Sequence, residues 1–167
     1  METTAIPSAN AVSATMVALA NIQPNTFNPR NRFEDVSLSE LAESIRQQGV
    51  IQPIALRPLA DSDRYEIIYG ERRYRASLIA ERENIPALVY DVDDETAQEM
   101  AIAENLQRED ITPTEEANAF QRLLDSGRHD VQSLAVQFGK SVNYIRSRLK
   151  FTALIPEIAQ MLDADCI

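Results

Sequence analysis

Tyr65-Glu66-Ile67-Ile68-Tyr69 is a strand-like run that leads directly into Gly70-Glu71-Arg72-Arg73-Tyr74-Arg75-Ala76. A strand that ends in glycine and opens into a helix leaves the first helical amides free, at the end carrying partial positive charge. Glycine keeps a side chain from holding a phosphate off the backbone. Arg72 and Arg73 add forked donors that match phosphate oxygens. The same residues suit a merely solvated helix end, and the motif alone leaves both options open. A second group, Glu104-Asn105-Leu106-Gln107-Arg108, supplies a carboxylate, an amide and a guanidinium within five residues. Such a set can hold hydrated magnesium and the outer phosphates of a nucleotide, with a solvated helix end again the plain alternative.

The elements that must position these groups are readable from pattern. Residues 1–15 lack periodicity and are expected to be a disordered lead-in. Val17 to Ile22 reads as a short strand. Ser37-Leu38-Ser39-Glu40 fits a helical capping box, Leu38, Leu41, Ala42 and Ile45 form an apolar stripe, and Gly49 stands where a left-handed cap is expected. Strand-like runs follow at Ile51 to Arg57, Tyr65 to Tyr69 and Ala87 to Val92, with a helix from about Glu71 to Arg82 between the last two. This alternation predicts a small α/β domain over residues 16–110.

After Asp93 the pattern is wholly helical. One helix runs over Glu95 to Ala103; another starts at Thr112-Pro113-Thr114-Glu115, has Ala117, Phe120, Leu123 and Leu124 on its core side, and stops at Gly127. Asp130 and Ser141 cap two short helices that meet at Gly139, with Leu134, Ala135, Val142, Ile145 and Leu149 facing inward. That is a helix-turn-helix pattern, and residues 111–167 form the second expected domain. Its second helix would enter the major groove. Ser141, Asn143 and Tyr144 near its start are candidates for base or phosphate contact, and Lys140, Arg146, Arg148 and Lys150 for phosphates. An ordinary helical hairpin with a solvated basic face is the plain alternative.

Net charge is −10, but its distribution matters more than the sum. Asp91 to Glu116 holds ten acidic residues against Arg108 alone, and this run is expected to be solvated helix surface; Gly139 to Phe151 holds four basic residues and no acidic one. A locally basic helix on an acidic body can bind DNA. One cysteine, Cys166, and one histidine, His129, exclude an intrachain disulfide and argue against a structural zinc set; a reducing cytoplasm is the expected compartment, and His129 is expected to do nothing catalytic. No apolar run approaches the roughly 20 residues that cross a bilayer.

Gly70-Glu71-Arg72-Arg73-Tyr74-Arg75-Ala76 resembles the most diagnostic motif of the ParB partition family, and Glu104-Asn105-Leu106-Gln107-Arg108 its second hallmark. Ser44 to Ile54 is similar to the family's segment between first helix and second strand, and Asn28-Pro29-Arg30 to the approach to its nucleotide pocket. The resemblance implies an α+β chain: a small mixed α/β, ParB/sulfiredoxin-like N-terminal domain followed by an all-helical helix-turn-helix domain. It also implies binding of CTP (or CDP) with Mg2+ and slow CTP hydrolysis. Gly70, Glu71, Arg72 and Arg73 would cradle the triphosphate, Gly49, Gln52 and Pro53 would shape the pocket, and Asn28, Pro29 and Arg30 would lie near the nucleotide. Glu104 would support hydrolysis, Asn105 would help Glu104 hold magnesium and phosphate, and Arg108 would stabilise the same loop.

In that family, CTP closes a dimer through the N-terminal domains around centromere-like parS DNA, and hydrolysis and release reopen it. An N-terminal segment commonly engages a ParA-type ATPase, although Met1 to Thr15 carries no basic residue. Family members usually continue into a C-terminal dimerisation domain, so the chain is expected to be shortened. Three rivals stand beside this expectation: a helix-turn-helix regulator without nucleotide switching, a sulfiredoxin, and a small-molecule kinase. The sulfiredoxin rival lacks its cysteine nucleophile, since the only cysteine is Cys166.

Overall fold

The computed structural model describes residues 13–24, 35–60, 62–154 and 156–164. The chain divides into two compact units, one ending at Gln98 and the other beginning at Glu99.

The first unit opens with β1 (Ser13–Ala18), a single 3₁₀ turn at Leu19–Asn21 and β2 (Ile22–Gln23). The expected lead-in is thus shorter than 15 residues: Ser13 to Thr15 pair with Val89, Leu88 and Ala87, while residues 1–12 lie outside the described residues. The expected single strand over Val17 to Ile22 is broken by the turn. Then come α1 (Asp35–Gln48), β3 (Ile54–Pro58), β4 (Tyr65–Tyr69), α2 (Glu71–Ile79) and β5 (Asn84–Val89). The five strands form one sheet in the order β1-β5-β3-β4-β2. Four steps of about 4.8 Å would put the edge strands of a flat sheet roughly 19 Å apart. The chain from Ala18 to Ile22 reaches at most about 14 Å. The sheet is therefore curled, bringing β1 and β2 toward each other.

Helix α1 begins two residues before Ser37, which therefore lies within its first turn rather than at the predicted cap position; Ser37 Oγ accepts a 2.9 Å hydrogen bond from Arg72. The predicted apolar stripe is borne out: Leu38, Ala42 and Ile45 pack with Ala76 of α2 and Ala80 just beyond it. Two arginines lock the α1–α2 pair reciprocally at their C-terminal ends. Arg46 Nη2 donates to the Ile79 carbonyl at 2.8 Å, and Arg82 Nη2 donates to the Ile45 and Arg46 carbonyls at 2.7 and 3.0 Å.

Helix α2 ends three residues earlier than expected because Glu81 turns left-handed (φ 55°), with Arg82 N bonding Ser77 O and Glu81 N bonding Leu78 O. Strand β3 begins at Ile54 rather than Ile51, and β5 lies three residues before the expected Ala87 start. Pro86 is tolerated in β5 because parallel pairing with β3 begins only at Ala87. The core joins Val17, Leu19, Ile22, Ile54, Leu56, Ile67, Tyr74, Ile85 and Ala87. Within the sheet, Arg57 Nε donates to the buried Glu66 at 2.7 Å across the β3–β4 pair, and Arg57, itself largely covered, also pairs with Asp94.

Helix α3 (Asp94–Leu106) starts in the first unit and continues in the second, which adds α4 (Pro113–Asp125), α5 (Val131–Gln137), α6 (Val142–Leu149) and α7 (Pro156–Asp163). Thr112 and Glu115 form the predicted capping box of α4. Asp130 and Ser133 form another on α5. Phe120, Leu123, Leu134, Ala135 and Ile145 are the buried centre of this unit, with Val142, Leu149 and Leu124 packed around them. The turn between α5 and α6 closes with Lys140 N bonding Ala135 O and Gly139 N bonding Val136 O, around Gly139 at φ 62°. This fold class, α/β followed by all-α helix-turn-helix, matches the expectation.

Candidate functional site

The first cluster is built where β4 meets α2. Gly70 adopts φ 102°, and a Cβ placed on it would lie 2.6 Å from Ile54 Cγ2. The glycine is thus demanded by backbone conformation and by close packing on β3, beyond any need for ligand access. It also offers no capping side chain, so the N-cap residue leaves the opening amides of α2 without a side-chain bond.

The arginines of this motif are braced. Arg73 Nη1 donates to the Gln52 and Pro53 carbonyls at 2.9 and 2.6 Å, tying the segment that precedes β3 to the start of α2. Arg72 reaches Ser37 on α1. Gly49 closes α1 at φ 76°, its amide bonding Ile45 O at 2.9 Å. The structure therefore brings Gln52, Pro53 and Gly70 to Arg73 together, with Ser37 as a member that sequence reasoning missed. Glu71 is buried, paired with Arg75 at 2.7 Å, and its Oε2 has no hydrogen-bond partner among the described residues. Its carboxylate sits at the favourable end of the helix dipole. Asn28, Pro29 and Arg30 lie outside the described residues.

One cleft on this unit is lined by residues that include Arg57, Asp93 and Asp94, and another by residues that include Tyr74, Leu78 and Arg82. Neither is lined by Gly70, Glu71, Arg72 or Arg73.

Glu104, Asn105 and Arg108 belong to the helical unit, at the end of α3 and just beyond it. Arg108 Nη1 donates to Asn105 Oδ1 at 3.2 Å and Nη2 pairs with Asp110 at 2.6 Å. The side chains of Glu104 and Asn105 are half-buried. Among the described residues no group of three or more His, Cys, Asp or Glu side chains is placed to hold a metal ion. A magnesium ion that takes most of its ligands from phosphates and water needs only one or two protein oxygens, and Glu104 with Asn105 provides that chemistry. The uncapped amides with Arg72 and Arg73 fit a polyphosphate in the same sense.

On the second helix of the helix-turn-helix and at its two ends, Lys140, Ser141, Asn143, Arg146 and Lys150 are exposed. Ser141 Oγ caps the helix, accepting from Tyr144 N at 3.0 Å. Tyr144 and Arg148 are turned inward. Tyr144 Oη donates to the two Glu116 oxygens at 3.0 and 2.8 Å, and Arg148 Nε lies 2.7 Å from Glu116 Oε2 and 3.2 Å from Tyr144 Oη. Burial opposes the charge on Arg148, but its bonds to Tyr144 and Glu116 more than offset that, so the guanidinium is held firmly protonated.

Glu116 is 7% exposed and Glu99 3%, which corrects the expectation that the whole acidic run is solvated surface. Both sit on inward faces of α4 and α3, where helical spacing within the acidic run was the available signal. Glu99 lies 3.6 Å from the buried His129 and 3.8 Å from Arg128.

Residues 2–106 match the family model for the ParB N-terminal domain and residues 109–167 that for the ParB HTH domain. The chromosome-partitioning protein Spo0J of Thermus thermophilus is 45% identical over 145 residues, covering 87% of this chain and 53% of that protein. A nucleoid occlusion protein of Listeria monocytogenes is 47% identical over 139 residues, covering 83% and 48%. The chain thus spans about half the length of these curated relatives. Among solved structures, C-terminally truncated ParB from Caulobacter crescentus complexed to the centromeric parS site matches with TM-score 0.75 and 30% identity over 92% of this chain and 79% of that one. The same truncated protein complexed with CTP-gamma-S matches with TM-score 0.55 and 33% identity, over 91% and 85%.

Proposed function

The chain belongs to the ParB family, and from that premise we propose that it is a DNA partition protein acting as a CTP-dependent clamp on a parS-like duplex. CTP with magnesium favours self-association of the N-terminal domains around DNA, and slow hydrolysis followed by release reopens the clamp. The observation that carries the nucleotide half is the start of α2: an uncapped helix end behind a left-handed Gly70, flanked by two braced arginines. Gly70, Glu71, Arg72 and Arg73 cradle the triphosphate. Gly49, Gln52 and Pro53 shape the adjoining wall, held in register by Arg73. Asn28, Pro29 and Arg30 join the nucleotide set on the family resemblance alone.

Bound magnesium would neutralise charge on the phosphates. Glu104 and Asn105 would hold it, Glu104 would position the attacking water, and Arg108, bonded to Asn105 Oδ1, would orient that amide. On the DNA side, Ser141 and Asn143 face base edges, Lys140, Arg146 and Lys150 meet phosphates, and Tyr144 and Arg148 support them from within the recognition helix. A ParA-type ATPase is the expected partner, and the nucleoid or a plasmid in the bacterial cytoplasm the expected place. No described helix is long and apolar enough to cross a membrane.

The test is nucleotide binding and hydrolysis on this chain, with and without a duplex carrying the parS site of the Caulobacter complex. CTP binds in preference to ATP, GTP and UTP; Arg73→Ala abolishes binding, and Glu104→Gln retains binding while losing hydrolysis. Failure of a folded chain to bind any nucleotide would leave the second reading, a helix-turn-helix DNA-binding regulator without nucleotide switching, which the exposed basic residues in and beside α6 support on their own.

A further inference from the structure

We infer that Glu116 is a positioning residue that divides the basic charge of the recognition helix, withdrawing Arg148 and Tyr144 into an internal brace and leaving Lys140, Arg146 and Lys150 as the phosphate-neutralising set. The inference rests on the DNA-binding reading above and deepens it.

The sequence presents four cations between Gly139 and Phe151 as equivalent. The structure separates them. Glu116 comes from α4, 28 residues before Tyr144 in sequence, and is buried. A buried carboxylate needs neutralisation and satisfied lone pairs. The single Tyr144 hydroxyl proton is shared between its two oxygens, and Arg148 supplies the charge at 2.7 Å. The Arg148 guanidinium also lies 5.1 Å from the Tyr144 ring centre and 5.6 Å from that of Phe151, so it is flanked by aromatic faces. A guanidinium so engaged would have to abandon a buried carboxylate to reach a phosphate. Lys140, by contrast, rests its Nζ 5.1 Å from the same Tyr144 ring and makes no ion pair among the described residues. Arg146 and Lys150 are exposed and likewise make no ion pair among them. Glu116 thus orients α6 against α4 through two side chains one turn apart, and its negative charge cancels one of the helix's four positive ones.

The salt dependence of DNA binding counts neutralised phosphates, because each releases a counterion. The full chain is titrated from low to moderate salt onto a labelled duplex bearing the Caulobacter parS site and onto a scrambled duplex of equal length. Lys140→Gln, Arg146→Gln and Lys150→Gln each reduce the slope of log affinity against log salt by about 0.9 per bound chain. Arg148→Gln leaves the slope unchanged. Glu116→Gln, which keeps an acceptor for Tyr144 but releases Arg148, steepens it by up to about 0.9. The double variant Glu116→Gln/Arg148→Gln returns to the parent slope. Far-UV circular dichroism and thermal midpoints track folding separately; loss of a structural brace alone shifts the midpoint and leaves the slope in place.

A slope reduced by Arg148→Gln as much as by Lys150→Gln overturns the division of charge, as does an unchanged slope in Glu116→Gln. Either result leaves DNA binding itself standing. Absence of salt-dependent binding by the parent chain to both duplexes removes the DNA-binding reading, and the charge division with it.

Discussion

Replacing Gly70 by alanine tests why glycine occupies the head of α2. The left-handed conformation at φ 102° costs an L-residue roughly 1–2 kcal/mol. The new Cβ would also sit 2.6 Å from Ile54 Cγ2 and 3.2 Å from Ile54 Cα, so relief requires β3 itself to shift; overpacking of that kind costs about 1–3 kcal/mol. Alanine returns roughly 0.4–1 kcal/mol by restricting the unfolded chain, leaving a net loss of about 1.5–4 kcal/mol. Gly49→Ala is the internal control. Gly49 is also left-handed, at φ 76°, but a Cβ there meets nothing within 4 Å, so only the conformational part remains, about 0.5–1 kcal/mol net. Urea unfolding followed by tyrosine fluorescence reads the difference. The chain has no tryptophan, and Tyr65, Tyr69, Tyr74 and Tyr90 all lie in the first unit. Equal losses in the two variants would refute the packing argument and reduce Gly70 to a conformational requirement.

Three further expectations follow from the same geometry. Arg57→Ala strands the buried Glu66 carboxylate and costs about 3–5 kcal/mol, read as a lower urea midpoint, whereas Arg57→Met/Glu66→Met recovers most of that loss. Glu81→Gly relieves the one left-handed non-glycine residue among the described residues and raises stability by up to about 1 kcal/mol; an unchanged or lowered midpoint contradicts it. Asp130 is held below the usual aspartate range, chiefly by the Ser133 backbone amide. Its cap is therefore complete above the unfolded value of about 3.9 and fades as pH falls through the lower folded value. The Ser133 amide resonance should titrate with that depressed midpoint and lose the transition in Asp130→Asn.

Local punctuation made much of this architecture legible. Thr112-Pro113-Thr114-Glu115, Asp130 and Ser141 cap helices where the pattern places them, and Gly49 and Gly139 end theirs, because caps are decided by neighbours in sequence. The misplacements are those set by tertiary contacts. Helix α2 stops at a left-handed glutamate, for which no glycine gives warning, and Arg46 and Arg82 reach across to cap its end and that of α1. Ile51 and Gln52 have strand-like neighbours but lie exposed before β3 begins at Ile54, their segment tethered by Arg73. At the candidate sites, residue types announced the motifs, but pairing did not follow from type. That Arg148 answers to Glu116, and Arg72 to Ser37, depends on packing between separate helices that spacing along one helix cannot express.

The eleven residues from Ser13 to Gln23 supply both outer strands of the curled sheet, β1 on β5 and β2 on β4. During synthesis this stretch leaves the ribosome well ahead of its partners, and β1 has none until Asn84 to Val89 has emerged. Strand β1 is therefore among the last parts of the sheet to dock, and closing so long a loop is slow. Until it docks, β5 and β4 expose unpaired edges to any neighbouring chain. A deletion through Gln23 would make that transient exposure permanent at both ends of the sheet, so it should be lost first to self-association in the cell, before any defect in ligand binding could be observed.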